Sequence, residues 1–287
     1  MNFKLKALFA ATVLAASATS ANAAIDGGNT TNGSEFVFSA WDINTGVGYT
    51  LDLNWNQKFD TVFGTDLSTT AANNTAVLNN AQFGSSLIGA GGVIYDDVLT
   101  GIPFGANIAN VQWNLTSLDN AGRTRLVTTK DSADEALFTA ITNNGQKAGT
   151  TILNGYYAAS NSFTSSAADD TFAITSDANA NAFAGTAGST YNLSLFDTTN
   201  ALGGTSSLYF LAQATQASSA APALAKQLTA FDGANIVVST YQQAGQWRLN
   251  LSAVPVAAVP EPETYAMFLA GLGIMGAVAR RRKGQVK

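Results

Sequence analysis

The 287-residue chain contains no cysteine and no histidine, and each absence removes whole classes of function. Without cysteine the protein has no disulfide, no thiolate nucleophile and no thiolate metal site, so packing of its core must hold it together. Without histidine it has no Ser-His-Asp triad, no HExxH zinc site and no imidazole proton shuttle. Because most hydrolase chemistry is thereby excluded, we predict a protein that is not an enzyme and that carries no cofactor.

Charged residues make up only 11% of the chain, and cations are scarcest in its long middle section. Residues 24–254 contain seven Lys and Arg against seventeen Asp and Glu, which gives a net charge of −10. A section this acidic offers no footprint for nucleic acid or for an anionic membrane. Its abundant Ala, Ser, Thr, Asn and Gly are typical of a secreted β protein, and its aromatic content is too high for disorder throughout.

The first 23 residues contain the three parts of a secretory signal peptide. Lys4 and Lys6 form a positive start, residues 7–18 form an apolar run, and Ala21 and Ala23 frame an A-x-A cleavage box. We therefore expect passage through the Sec translocon and cleavage by signal peptidase after Ala23.

The C-terminus combines a short uncharged segment with a basic cluster. The fifteen residues from Tyr265 to Ala279 carry no charge. A helix of this length spans about 22 Å, which is shorter than the ~30 Å hydrocarbon core of a bilayer. It can still insert where the bilayer thins and flanking Arg side chains reach the headgroups. A buried helix of a soluble domain is the alternative that length alone allows.

The basic cluster favours the membrane interpretation. Cations directly after an apolar segment stop its transfer and remain on the cytoplasmic side, here Arg280, Arg281, Arg282 and Lys283. We predict a single transmembrane helix over residues 264–279, followed by a basic tail over 280–287.

A Pro-Glu-Pro motif precedes this helix and completes a recognisable signal. Pro260, Glu261 and Pro262, the short apolar helix and the Arg-rich end occur in the order that resembles the PEP-CTERM sorting signal of Gram-negative bacteria. The resemblance implies transient residence in the inner membrane and cleavage near the motif by an exosortase, a transpeptidase-like membrane enzyme. It also implies delivery to the cell surface or the extracellular matrix. Proteins with this signal are linked to biofilm formation, which makes exopolysaccharide a candidate partner.

Together these features predict four parts: a signal peptide over 1–23, a passenger domain over 24–254, a linker over 255–259 and the sorting signal over 260–287. Within the passenger, alternating apolar and polar residues between Gly and Asn turns predict strands. They lie at 35–41, 49–55, 111–117, 191–195, 207–212, 235–241 and 246–251. The pattern predicts an all-β fold, an antiparallel β-sandwich.

Two or three short helices are expected beside the strands. Ser132 and Glu135 form a capping box, and the helix that they begin is expected to end at Asn144 and Gly145. Residues 222–231 form a second candidate and residues 75–82 a weaker third.

Three groups of residues in the passenger are candidates for a site. Asp177, Asn179 and Asn181 begin like a calcium loop, but Ala182 stands where an EF-hand needs Gly, which favours a polar loop. The pairs Asp96-Asp97 and Asp169-Asp170 could ligate a cation or, paired with Glu35 or Glu135, act as the carboxylates of a glycosidase. Four tryptophans could stack on sugar rings, although their positions in apolar strand faces favour core packing: Trp41, Trp55, Trp113 and Trp247.

The leading hypothesis is an exported, non-enzymatic structural or adhesive component of the cell surface or matrix. A carbohydrate-binding module and a glycoside hydrolase or lyase of the matrix are the alternatives. An ice-binding surface is disfavoured, because adjacent Thr pairs such as Thr128 and Thr129 would point to opposite faces of a strand.

Overall fold

The computed structural model describes residues 24–30, 32–53, 55–64, 78, 81–105, 108–120, 124–130, 140–167, 170–186, 200–214 and 220–254. All of these belong to the first of two units into which the chain separates, Met1–Val254 and Pro255–Lys287. The predicted signal peptide (1–23), linker (255–259) and sorting signal (260–287) lie outside these ranges. Within the described ranges, no helix is both long enough and apolar enough to cross a membrane.

The described residues form thirteen strands, which are all hydrogen-bonded into one sheet, and the helices α1 (Phe59–Phe63) and α2 (Asn143–Ser160). The strands are β1 (Val37–Asp42), β2 (Val47–Asp52), β3 (Gln82–Phe83), β4 (Val93–Val98), β5 (Val111–Asp119), β6 (Arg125–Lys130), β7 (Thr164–Ala167), β8 (Asp170–Ser176), β9 (Thr205–Ala212), β10 (Leu224–Gln227), β11 (Thr229–Ala230), β12 (Asn235–Gln243) and β13 (Gln246–Val254).

The sheet runs in the order β4-β13-β12-β9-β6-β5-β1-β2-β8-β7, and every neighbouring pair on this path is antiparallel. β10 pairs with β9 in an antiparallel contact. β11 pairs antiparallel with β12 and parallel with β3. The prediction of a β-rich fold is confirmed. A sandwich of two separate antiparallel sheets is not confirmed, because one mixed sheet connects all the described strands.

Two hairpins connect strands that the sequence predicts. β1 and β2 are joined by a turn at residues 43–46, which Asp42 stabilises by accepting the backbone N–H of Asn44 through its Oδ1 at 2.9 Å. β12 and β13 are joined at Ala244 and Gly245, both of which have positive φ, as a two-residue hairpin turn of type I′ requires. The alternating burial of β12 and β13 explains why their pattern was visible in the sequence.

One face of the sheet carries the larger hydrophobic core. Its buried side chains come from β1, β2, β5, β8 and β9 and also from β12 and β13, so the two ends of the sheet contribute to the same core. Aromatic rings dominate it, with Phe38 stacked on Trp113 and Phe63 edge-on to Phe210. Such aromatic pairs contribute about 0.5–1.5 kcal/mol each beyond the apolar area that they bury.

The other face packs against α2. Leu153 and Tyr157 of the helix join buried residues of β1, β5, β6 and β9 in a second apolar cluster. This contact also has a polar layer, because the Tyr156 hydroxyl meets the hydroxyls of Ser39 and Thr50, and the Tyr157 hydroxyl lies 2.7 Å from Thr116 Oγ1. The paired hydroxyls fix α2 in one position on the sheet, since an unpaired buried hydroxyl would be costly.

A buried charge cluster attaches α1 to the sheet. Arg125 of β6 donates through Nη2 to Asp119 Oδ2 at 2.6 Å and to Asp60 Oδ1 at 2.7 Å. Its Nη1 donates to the carbonyl of Gly64 at 2.8 Å, and its guanidinium carbon lies 5.0 Å from the ring centre of Phe59. The side chains of Arg125 and Asp119 are only 4% and 0% exposed, so water cannot stabilise their charges. Each charge is instead compensated by the other.

The predicted helices differ from those in the structure. Asn144 and Gly145 do not end a helix but lie in the first turn of α2, which begins after the cap Thr142. Thr142 Oγ1 accepts the N–H of Gly145, so this glycine serves the N-terminal cap of the helix. The remainder of that prediction, residues 131–139, lies outside the described residues.

The helix predicted over residues 222–231 is wrong, because β10 and β11 occupy most of this segment. An amphipathic helix would bury Leu228 and Phe231 together, but Leu228 is buried and Phe231 is 56% exposed. Of the third predicted helix, most residues lie outside the described part, and Gln82 belongs to β3. The predicted strand at 191–195 also lies outside it.

Candidate functional site

The predicted processing residues come from the signal peptide and from the sorting signal. Pro260, Glu261 and Pro262, the basic cluster from Arg280 to Lys283, and Ala21 and Ala23 all lie outside the described residues. Their roles stay predictions from the sequence. In the sequence, the last described strand before the sorting motif is β13, which ends at Val254, and five residues separate Val254 from Pro260.

Asp96 takes part in a cross-strand contact at the edge of the sheet. It lies on β4, accepts the Tyr241 hydroxyl at 2.8 Å and forms an ion pair of 2.9 Å with Arg248 Nε. This contact raises the pKa of Arg248 above its ordinary value. The exposed Asp97 accepts the backbone N–H of Val98. Asp96 and Asp97 thus place charged side chains on the edge strand β4. Charges on an edge strand oppose its pairing with strands of other chains.

The other predicted carboxylates do not join this group. Asp169 and Glu135 lie outside the described residues, and Asp170 begins β8. Glu35 contacts Lys58 and Asp52. The pairing of Glu35 with Asp52 was not predicted, since Asp52 sits in an alternating strand where every second residue was expected to face solvent.

The predicted calcium loop is a short 3₁₀ segment, Asp177–Ala182. Asn179 uses its Oδ1 to accept the backbone N–H of Ser176 at 2.6 Å, within a capping box. Among the described residues, no group of three or more acidic side chains is arranged to hold a metal ion. The local contacts are those of a polar loop.

Three of the four tryptophans are buried. Trp113 is fully buried and Trp41 nearly so, and their indole N–H groups donate to Ala201 O and Gln112 Oε1. Trp55 is partly buried against Phe36 and Tyr95. Trp247 is 8% exposed. Trp41 and Trp113 therefore pack in the interior and are not available as open platforms for sugar rings.

The strongest concentration of titratable groups lies beside the N-terminal segment, and we call it the carboxyl cluster: Asp26, Glu35, Asp52 and Lys58. Lys58 forms an ion pair with Asp26, and its Nζ lies 3.7 Å from Glu35 Oε1. The contact with Asp26 and the neighbouring carboxylates raise the pKa of Lys58. Glu35 Oε2 also accepts the backbone N–H of Asp26 at 2.9 Å.

Asp52 is the unusual member of the carboxyl cluster. Burial, and then the charge and hydrogen bond of Glu35, raise its pKa to about 8. Its Oδ1 is buried without a hydrogen-bond partner among the described residues. This geometry suits a neutral carboxylic acid at Asp52 that is hydrogen-bonded to Glu35, because an ionised buried oxygen without a partner would be costly.

A buried carboxyl group with a raised pKa can act as a general acid when a substrate reaches it. In this structure the four side chains of the carboxyl cluster form ion pairs and hydrogen bonds with one another. The linings of two cavities, one at the loop after β4 and one beside Ile25, include none of Glu35, Asp52 and Lys58. The N-terminal segment is held by further contacts, since Ile25 is buried and its N–H donates to Asn161 Oδ1 at 2.7 Å. The carboxyl cluster therefore supports a structural role, which is to fasten the start of the passenger to β2 and the residues next to α1.

One cavity lies at the turn of the β12–β13 hairpin, and we call it the hairpin groove. It has a volume of about 530 Å³. It lies between the loop after β4 and the hairpin turn, and it is lined by Val98, Leu99, Thr100, Gly101, Ile102, Gly105, Gln242, Gly245, Gln246 and Trp247. Sequence analysis singled out only Trp247 of these residues, because the loop after β4 has no pattern of its own.

The comparison with protein families identifies one segment. The PEP-CTERM protein-sorting motif matches residues 258–283, so the chain is a PEP-CTERM protein by its C-terminal signal, as the sequence predicts. The match covers the Pro-Glu-Pro motif, the uncharged segment and the basic cluster. No curated protein and no solved structure matches the chain. The match therefore describes the sorting signal and leaves the activity of the passenger open.

Proposed function

We propose that the protein is an exported component of the cell surface or extracellular matrix that does not catalyse a reaction. The match of residues 258–283 to the sorting motif is the observation that carries this proposal. A signal peptide at 1–23 would bring the chain to the Sec translocon. The helix at 264–279, with its basic tail, would hold the precursor in the inner membrane. An exosortase would then release the passenger near Pro260–Pro262.

The passenger supports a non-enzymatic role in two ways. The chain has no histidine or cysteine, and its most perturbed carboxyl group, Asp52, is used within the fold. The acidic residues proposed as a glycosidase pair support other contacts, since Asp96 binds Arg248 and Glu35 lies beside Lys58. A structural or adhesive function in a matrix of exopolysaccharide and biofilm fits these contacts better than hydrolysis.

Cell fractionation tests the export route. In cells that lack the processing enzyme, we expect the full-length chain to accumulate in the inner membrane with its basic end in the cytoplasm. A chain truncated after Val254 should still be exported but should not enter the membrane, because residues 264–279 are missing. A chain in which Arg280, Arg281, Arg282 and Lys283 are replaced by alanine is the matched control for orientation. Full-length protein in the cytosol would contradict the proposal.

The absence of catalysis is tested separately. Full-length protein incubated with the exopolysaccharide of the producing cells should release no new reducing ends and no unsaturated sugars. Either product, if it disappeared in an Asp52→Asn or Asp96→Asn variant, would establish a hydrolase or lyase in place of a structural protein.

A further inference from the structure

We propose that the hairpin groove binds a neutral saccharide chain. The exopolysaccharide of the matrix is the biological ligand only if the protein is exported as proposed above. The binding itself can be measured on the purified chain.

The lining of the groove selects against charged ligands. The ten described residues that line it are all uncharged. The passenger as a whole has a net charge of −10, which repels polyanions at long range. A cationic ligand would find no carboxylate in the lining with which to pair. A charged ligand would lose water in this groove without gaining a partner for its charge. A neutral ligand avoids this cost in free energy.

The walls combine apolar surface with amide groups. Leu99, Ile102 and the indole of Trp247 supply apolar surface, and the exposed side chains of Gln242 and Gln246 supply primary amides. A sugar ring has the same two-sided character, with C–H groups that pack on apolar or aromatic surface and hydroxyls that exchange hydrogen bonds with amides. Ligand sites typically have mostly apolar walls with a few polar groups that fix orientation.

Trp247 belongs both to the wall of the groove and to the core behind it. It lines the groove, and 8% of the residue is exposed, with the rest buried in the larger hydrophobic core. The surface that Trp247 offers to a ligand is therefore small, and core packing holds it in place.

The groove is formed before any ligand arrives. The backbone N–H of Leu99 donates to Trp247 O at 2.8 Å, and the Tyr49 hydroxyl donates to Thr100 O at 2.6 Å. Gly101 has a φ of 74°, and a Cβ at this position would lie 2.5 Å from the ring of Phe172. The loop after β4 is thus held against the core, which lowers the entropic cost of binding.

Binding is best measured with the full-length chain in a detergent without a sugar headgroup. The probes are three neutral hexasaccharides, of β-1,4-glucose, β-1,3-glucose and α-1,4-glucose, and one acidic hexasaccharide of galacturonate. We expect saturable binding of at least one neutral probe by calorimetry, with a change in tryptophan fluorescence. The acidic probe should bind at least tenfold more weakly.

Variants locate the binding site. Gln242→Ala and Gln246→Ala should each weaken binding about tenfold, which corresponds to the loss of one or two hydrogen bonds. Gln243→Ala is the matched control, because Gln243 is an exposed neighbour on the same hairpin that does not line the groove. Trp247→Phe should weaken binding and abolish the fluorescence change. Circular dichroism would verify that each variant is folded.

Several outcomes overturn the saccharide proposal. They are no binding of any neutral probe at millimolar concentration, equal binding of the acidic probe, or equal effects of Gln243→Ala and Gln246→Ala. None of these outcomes concerns processing at the C-terminus, so the export route proposed above would stand if the groove failed. In the same way, a cytosolic location of the protein would leave a measured saccharide affinity intact.

Discussion

Replacing Arg125 by alanine is expected to lower the free energy of unfolding by about 3–5 kcal/mol, the range found when one partner of a buried ion pair is removed. The variant leaves Asp119 without its cation in a position with 0% side-chain exposure. It also removes the donor to Gly64 O and the contact with the ring of Phe59. Since folded proteins are stable by only about 5–15 kcal/mol, this loss is a large share of the total.

Denaturant unfolding of the full-length chain, followed by tryptophan fluorescence, measures this effect. Lys147→Ala is the matched control, because Lys147 is an exposed cation on α2, and its removal should change stability by less than about 0.5 kcal/mol. Arg125→Lys should recover only part of the loss, since an ammonium cannot reach Asp119, Asp60 and Gly64 together with the geometry of a guanidinium. An Arg125→Ala variant as stable as the Lys147→Ala control would show that the charge cluster does not hold α1.

Replacing Asp52 by asparagine is expected to stabilise the protein at pH 8, with little effect near pH 4. The pKa of Asp52 is about 8 in the folded protein and near 3.8 in the unfolded chain. Between these values the folded state holds a proton that the unfolded state has released, so this carboxyl lowers stability as pH rises from about 4 to about 8. Above pH 8 both states are ionised, and the dependence on pH ends.

Asparagine has no such titration, and its amide can still donate to Glu35. The difference in melting temperature between variant and wild type should therefore grow from pH 4 to pH 8 and then stay constant. We expect a gain on the order of a few kcal/mol at pH 8, from the relation between a pKa shift and stability. Asp97→Asn, which removes an exposed carboxylate from the edge strand, should show no comparable trend. A difference that stayed the same at every pH would mean that Asp52 titrates normally.

Six of the thirteen described strands were predicted from the sequence, namely β1, β2, β5, β9, β12 and β13, and β3, β4, β6, β7, β8, β10 and β11 were not. The half-buried strands β12 and β13 alternate in a visible way. In β13, Trp247, Leu249 and Leu251 face the core, and the residues between them are polar. The order of the strands was not predictable. The joining of β12 to β9 and the parallel contact of β11 with β3 arise from packing between segments far apart in the chain.

The long helix α2 was missed because its buried face is mainly polar. Its buried residues recur at helical spacing, and they include Gln146, Gly149, Thr150 and Ser160 beside Leu153 and two tyrosines. A search for apolar periodicity does not detect such a face, and the glycine at position 145 suggested an end to the helix. The partners that stabilise it, such as Ser39, Thr50 and Thr116, lie on strands distant in sequence.

The candidate sites also differ in how far the sequence predicts them. The sorting motif was predicted in full, because it is a local signal that depends on the order of residues alone. The carboxyl cluster and the hairpin groove were not, because each assembles residues from several segments. Asp52 is unremarkable in the sequence, and only its position beside Glu35 in the fold raises its pKa.

Intact-mass spectrometry of the exported protein tests the central claim most directly. If the PEP-CTERM signal is used, the protein recovered from the cell surface or medium should begin at Ala24 and end within or beside Pro260, Glu261 and Pro262. Replacing these three residues by alanine should keep the full C-terminus on a membrane-bound chain. Exported wild-type protein whose mass still includes Lys287 would contradict the account.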